Sequence, residues 1–337
     1  MIDVIETDAA FEALRDEWQA LERNSALRVF QTFVWNRNAW RATDGGSLFI
    51  LRWHQDGRAD TVIFPFWLDR RGNLRFIGDG FGDVFDCVYG ADAANRHWAY
   101  KEAADALVAD RRVRNVWLQK LGDTSEALRY FGVFLRGAIV FRDHVRGQVV
   151  TDRTDDFVGD LAGLRHRDRS RMHKVAAEFP GLVLRIERDR FPRAEVEALR
   201  SFMVGKGWRA AGWLEPRLVD LAEAAFAAGR CEVAMLEDAE GVQSLGFRLV
   251  KDGQADAWVC LYRDRRMTSA LDVRYMQEKA KTGAWTFDLG VGDYNYKRQV
   301  FRPQPKVSFT LRSSKGVAGT VWNFIRANVR MFRMTRG

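Results

Sequence analysis

Proline, cysteine and long apolar runs are scarce in this chain of 337 residues. Six prolines, with 29% charged and 47% hydrophobic residues, exclude a proline-rich linker or a disordered tail and fit a globular protein. Three cysteines, Cys87, Cys231 and Cys260, are too few and too scattered for a disulfide framework or a cysteine zinc site. His54, His97, His144, His166 and His173 lack metal-ligand spacing, so no metal is expected. The longest apolar stretch, Val62 to Leu68, is broken by Pro65 and is far shorter than a bilayer span. The first residues, Met1-Ile-Asp-Val-Ile-Glu6, have neither a basic nor an apolar leader segment, so a cytoplasmic location is expected. No Walker loop, nucleophile elbow or paired CxxC occurs.

Charge is plentiful but unevenly placed. The formal net charge is +8, and Asp293 is the last acidic residue. Ten lysines and arginines follow it, so residues 1–293 carry about −2. A nucleic-acid binder would spread a basic stripe over its fold, so DNA is not an expected partner. A second basic cluster runs from Arg165 to Lys174. At helical spacing Arg165, Arg169 and His173 share a face, read either as solvated or as an anion site for phosphates of a donor or acceptor.

Periodicity divides the chain near 150–160. Before that seam, helices are expected from Asp8, as N-cap, to about Asn24, over 30–40, 94–109 and 124–131. Strands are expected over 47–53, 61–68, 84–89 and 113–118, the first two as a hairpin, with a less regular stretch to Thr151. The second half reads as helix 155–179, strand 181–187 and helices 193–204 and 216–228. A strand meander over 231–237, 242–251 and 255–262 turns at Gly241 and Asp252-Gly253. A helix capped by Thr268 then leads to a strand over 285–289. The turns Phe76-Ile-Gly-Asp-Gly-Phe-Gly-Asp83 and Phe287-Asp-Leu-Gly-Val-Gly-Asp293 faintly echo each other.

The second of these turns carries the chemistry. Asp288 and Asp293 flank Gly290 and Gly292, which allow a sharp bend and close approach to a ligand. Asp293, in the turn, is the candidate general base. Asp288, on the strand, needs a partner if buried, and Lys297 is the nearest in sequence. Lys297 is thus either half of a structural ion pair or a catalytic cation. Tyr294 and Tyr296 are candidate general acids, Tyr294 also a substrate contact, or else packing residues. Asp83 and Asp86 are read either as acceptor-binding carboxylates or as turn caps. Beyond residue 312, Val317, Val321, Ile325, Val329 and Phe332 mark one helical face beside Arg326, Arg330 and Arg333. That pattern suits an anionic membrane surface at the inner face of the membrane, a phosphorylated regulator such as a cyclic dinucleotide, or docking on the protein itself.

Several segments together resemble one family: Phe30-Gln-Thr-Phe-Val-Trp35, Asp83-Val-Phe-Asp86, Arg165 to Lys174, and above all Phe287-Asp-Leu-Gly-Val-Gly-Asp-Tyr-Asn-Tyr-Lys297. They resemble the CelD/BcsL-type acyltransferases of the GNAT superfamily, related to the Fem-type peptidyltransferases. The resemblance spans roughly residues 10–302. It implies an α/β (α+β) fold of tandem GNAT-like units, each a mixed central sheet flanked by helices: 1–155, 156–312, and a basic amphipathic helix over 313–337. It also implies acyl transfer, commonly from acetyl-CoA, to an amine of a cell-envelope or exopolysaccharide precursor, and Lys297 as a residue that polarises the donor carbonyl or binds phosphate.

One departure concerns the donor. A CoA-binding GNAT usually has a glycine-containing basic loop whose amides cradle pyrophosphate at a helix N-terminus. The matching turn here, Arg263-Asp-Arg-Arg-Met-Thr268, has no glycine. Arg263, Arg265, Arg266 and Thr268 are its candidate phosphate ligands. An aminoacyl-tRNA donor, as in Fem-type relatives, and a catalytically altered effector that binds a phosphorylated ligand both stay open.

Overall fold

Two units make up the chain in the computed structural model, which describes residues 1–24, 26–55, 61–91, 95–161, 166–208, 214–291 and 304–315. One unit is Met1–His144 together with the segment from Val307, and the other is Val145–Lys306. The boundary expected at 155 falls earlier, inside strand β9 (Ile139–Thr151). The segment up to 312, expected to close the second unit, instead returns to the first. There β15 (Gln304–Ser314) pairs antiparallel with β8 (Asn115–Gly122), from Ser308↔Gly122 to Ser314↔Asn115. The helix expected over 313–337 lies almost wholly outside the described residues.

In the first unit, β1 (Ile2–Ile5), β3 (Ile50–His54), β4 (Thr61–Phe64) and β7 (Val88–Tyr89) form an antiparallel sheet in that order. The β3–β4 pair is the hairpin that the sequence predicts. A second set runs β15, β8, β6 (Asn73–Phe76), β5 (Phe66–Leu68) and β2 (Ser47–Leu48). The helices are α1 (Asp8–Ala13), α2 (Arg15–Leu21), α3 (Phe33–Arg41), α4 (Arg96–Ala109) and α5 (Glu126–Phe134). Thr7, not Asp8, caps α1, its hydroxyl accepting from the Ala10 amide at 3.2 Å. Phe11, Trp18 and Phe33 pack edge-on or tilted at 5.4–5.9 Å. Trp18 Nε1 donates to the Gln31 carbonyl at 2.8 Å, so this buried indole is satisfied.

The second unit carries the meander. β10 (Val183–Glu187), β11 (Cys231–Asp238), β12 (Gly241–Lys251) and β13 (Gln254–Tyr262) are antiparallel neighbours. β14 (Trp285–Val291) then lies parallel to β13 and antiparallel to the end of β9. The β12–β13 turn holds Asp252 and Gly253 at φ 47° and 73°, both left-handed, which matches the right-handed twist of a two-residue hairpin. The unit's helices are α6 (Phe157–Asp160), α7 (His166–Ala177), α8 (Arg193–Gly205), α9 (Pro216–Ala227) and α10 (Met267–Ala280). α10 buries Leu271, Val273 and Met276 against Met172 of α7 and Phe287 of β14. Each such side chain taken from water contributes about 1.5–3 kcal/mol. No helix among the described residues is long and apolar enough to cross a membrane.

Candidate functional site

β13 and β14 run together for only three residue pairs, Gln254↔Thr286, Ala255↔Phe287 and Asp256↔Asp288. Beyond them β13 continues to Tyr262 with no strand on this edge among the described residues. Two irregularities separate the strands. On β13, Phe247↔Val259 is followed by Arg248↔Ala257, so Trp258 is an extra, bulged residue. On β14, Leu289 and Gly290 bulge between Asp288↔Gln148 and Val291↔Arg146, with Gly290 at φ 73°. A bulge at an open strand edge releases main-chain N–H groups from the ladder. Those groups can stabilise a developing oxyanion.

A small cavity of about 10 Å³, room for about one water molecule, lies beside these strands. Ala255 and Ala257 of β13 and Phe287, Asp288 and Leu289 of β14 form two of its walls. Arg248 of β12 and Asp272, Tyr275 and Met276 of α10 form the rest. Arg248 donates to Asp272 at 2.5 Å, and its guanidinium stands 5.4 Å from the Tyr275 ring centroid. The Tyr275 hydroxyl donates to Glu232 at 2.8 Å, and Lys279 and Arg188 donate to the same carboxylate. Burial alone would raise Glu232, but these donors hold it below the usual carboxylate range, whereas burial and Glu232 push the Tyr275 phenol well up.

Asp288 lies in this wall as an ion pair. Its carboxylate accepts from Arg146 of β9 and, at 3.0 Å, from the Gly290 amide. The expected partner was Lys297; the observed one comes from a segment that the sequence pattern left irregular. A carboxylate holding both Arg146 and the bulge amide ties β14 to β9 at this point. Asp293, Tyr294, Tyr296, Lys297 and Arg165 lie outside the described residues.

The loop from β13 to α10 is built differently from a phosphate cradle. The Asp264 carboxylate accepts from the Arg266 amide at 2.9 Å and from its guanidinium. These bonds hold Asp264 below its usual range. The Met267 and Thr268 amides donate to the Asp264 and Arg265 carbonyls. Arg266 also reaches Glu178 at 3.4 Å. Arg266 stands at the N-cap of α10 and Thr268 lies inside its first turn, so Thr268 is not the cap. Arg263, over the Phe202 ring at 4.9 Å, and Arg265 are the exposed cations of this loop without an ion pair among the described residues. Arg169 is half-buried on α7.

In the first unit Asp86 is a helix cap. Its carboxylate accepts from the Cys87, Glu126 and Ala127 amides at 2.8–3.0 Å, tying the start of α5. Burial outweighs these bonds and pushes it up to about 6. Asp83 lies 3.5 Å from Lys120. The first unit also repeats the hairpin, helix and parallel-strand order, with β6, α4 and β8 matching β13, α10 and β14. Its opening is occupied by its own chain. After Asn73↔Asn115 and Leu74↔Val116, Phe85 bridges to Leu121, stacked on Phe76 at 5.7 Å. The block Phe76–Asp83 therefore follows β6, whereas Phe287–Asp293 begins on the counterpart of β8. The faint echo joins non-equivalent positions.

The sequence reading missed Arg146, Arg248, Asp272 and the Trp258 bulge. Arg248 inside Leu245-Gly-Phe-Arg-Leu-Val250 and Asp272 inside Ala270-Leu-Asp-Val273 were the available signals, opposite charges in apolar runs.

No protein-family model matches the chain, and no curated protein matches it in sequence. Solved structures do. A C-terminal domain assigned to a lysylphosphatidylglycerol synthetase of Agrobacterium fabrum superposes with a TM-score of 0.61 at 12% identity, covering 93% of this chain and 95% of that one. FemX gives 0.57 at 11%, covering 88% and 95%. A tandem GNAT protein from the clavulanic acid biosynthesis pathway gives 0.50 at 10%, covering 94% and 99%. The fold is thus mixed α/β and GNAT-like, as the sequence predicts.

Proposed function

We propose that this protein is a GNAT-type acyltransferase, of the kind that the CelD/BcsL resemblance implies, with one donor site in the opening between β13 and β14. The observation that carries the reading is the Trp258 bulge, one residue past Ala257 in the cavity wall and two past the last parallel pair, Asp256↔Asp288. In this reading the bulge amides stabilise the oxyanion formed at the donor carbonyl, and the chain leads from there into Arg263–Arg266 and α10. The first unit's equivalent opening is blocked by Phe85, which supports a single site.

In the proposed reaction an amine of a glycan precursor, an amino sugar, attacks the donor carbonyl. The new C–N bond forms as the C–S bond of the thioester breaks. Asp293 takes the amine proton, and Tyr296 supplies one to the leaving thiolate. Lys297 polarises the carbonyl or holds phosphate, and Tyr294 and Arg169 contact substrate. Acetyl-CoA is the proposed donor, and its phosphates fall to Arg263 and Arg265. The segment beyond 312 is proposed to meet an anionic membrane surface on the cytoplasmic side.

Asp264 favours a second reading. A carboxylate already bonded to the Arg266 amide competes with pyrophosphate at the start of α10. A donor whose phosphates are spread along an RNA, as an aminoacyl-tRNA, avoids that point. Titration calorimetry with acetyl-CoA separates the two: saturable micromolar binding with one site per chain supports the thioester donor. Absence of heat with acetyl-CoA, with binding of aminoacyl-tRNA, supports the second. Binding of neither, alongside binding of a cyclic dinucleotide, refutes both and leaves an effector.

A further inference from the structure

We propose that Trp208 and Tyr262 form a stacking platform for the adenine ring of the acyl donor, with Lys206, Arg263 and Arg265 placed around it for the adjoining phosphates. The proposal rests on the acyl-transfer reading above and names the part of the donor that is recognised. An adenosine that carries phosphate ends both acetyl-CoA and an aminoacyl-tRNA.

The platform is built by the end of α8. Lys206 is the C-cap, and Gly207 follows at φ 69°, a left-handed conformation that glycine takes without strain. The Gly207 amide donates to the Val204 carbonyl at 2.9 Å and the Trp208 amide to the Met203 carbonyl at 3.1 Å. These two bonds close the helix and fix where Trp208 stands. The Tyr262 amide, at the end of β13, donates to Met203 Sδ at 3.3 Å, so the same turn of helix is pinned to the strand. The Trp208 and Tyr262 ring centroids lie 5.3 Å apart with the planes at 38°, and Phe202 meets Trp208 edge-on at 6.1 Å.

An apolar residue just past a helix end packs back on the last turn, and a leucine would serve there. Here an indole stands half-buried beside a half-buried phenol, so aromatic surface stays open to solvent. The charges around it are of one sign. Lys206 Nζ and the Arg263 guanidinium lie 5.7 and 4.9 Å from the Phe202 ring centroid. Arg265 is close enough to Tyr262 to oppose the rise that burial causes in its phenol pKa. All three cations are exposed, and none has an ion pair among the described residues. Asp264, the carboxylate between the arginines, is held by Arg266. Uncompensated cations gathered around open aromatic rings suit a ligand that joins a planar base to phosphate. Tyr262 lies four residues beyond the Trp258 bulge, about 13 Å of strand, so base and phosphates fall at the far end of this edge from the reacting carbonyl.

The test uses the full chain, wild type and Trp208→Leu, the variant keeping apolar contact with the last turn of α8 while losing the ring. Calorimetry should show acetyl-CoA binding the variant at least tenfold more weakly. S-acetylpantetheine, which lacks the adenosine and its phosphates, should bind both forms alike. In the wild type, adenosine 3′,5′-bisphosphate should displace acetyl-CoA at least tenfold more effectively than inorganic pyrophosphate, a comparison that does not depend on the variant folding. A folded variant that binds acetyl-CoA as the wild type does overturns the proposal. Pyrophosphate that competes as well as the bisphosphate overturns it too, because charge alone would then account for binding. If acetyl-CoA does not bind the wild type, the probes are the bisphosphate and aminoacyl-tRNA. Weaker binding of both to Trp208→Leu upholds the platform, and it is the thioester-donor reading that fails. Equal binding to the two forms, or no binding of the bisphosphate to the wild type, overturns the platform.

Discussion

Arg146 and Asp288 meet inside the second unit from positions 142 residues apart, with side chains 5% and 1% exposed. The pair joins β9 to β14 at the bulge where β14 leaves β13. Removing one partner strands a buried charge, at a cost of about 3–5 kcal/mol. Asp288→Ala should therefore lower the urea midpoint strongly, and Arg146→Met/Asp288→Leu should recover most of the loss. A double variant as unstable as the single one would show that the pair itself, not the orphaned charge, matters.

Asp86 makes stability depend on pH in an identifiable direction. Its folded value, about 6, lies above the ordinary 3.8, so folding favours the protonated form. The associated stability is fully present below about pH 4 and is lost as pH rises through 6. Asp86→Asn removes this dependence. Relative to wild type, the variant should gain about 2 kcal/mol between pH 4 and pH 7. Urea titrations at the two values check it, and a pH-independent difference would contradict the assignment.

Phe85 plugs the first unit's parallel opening. Phe85→Ala should cost about 3–5 kcal/mol by cavity formation. Donor stoichiometry should stay at one site per chain, because that opening lacks a short turn into a helix like Arg263–Arg266. A second binding event in calorimetry would refute the single-site reading.

Lys297 and Asp293 are assigned to the reaction from the sequence alone. Lys297→Ala and Asp293→Asn should each reduce acyl transfer at least a hundredfold while leaving the melting temperature nearly unchanged. Normal transfer by both variants would dismiss the assignment.

Arg263 and Arg265 are exposed and lack an ion pair among the described residues. The double alanine variant should weaken donor binding about tenfold and flatten its salt dependence. Unchanged affinity would move the donor phosphates elsewhere.

The meander from Cys231 to Tyr262 was legible because apolar runs such as Val233–Leu236 fill its strands and its turns carry glycine at left-handed φ. β9 was not, because its buried positions include Asp143 and Arg146, so charge falls where alternation calls for apolar residues. That gap hid the partner of Asp288. A nearest-in-sequence rule then pointed to Lys297, although ion pairs across a sheet ignore sequence distance. The cap of α1 was missed by one residue because Thr7 and Asp8 are both good N-caps, and only the extended backbone at Thr7 decides between them. The Trp258 bulge leaves no mark in composition, since a single extra residue shows only against its partner strand.

The return of β15 to β8 makes the first unit discontinuous along the chain, with all of the second unit inserted before its last strand. During synthesis β8 stays an open edge until residue 314 has left the ribosome, by which time β10 to β14 are already available to fold. The order of assembly is thus inverted: the part made first is finished last, and truncation before Gln304 should damage the amino-terminal half.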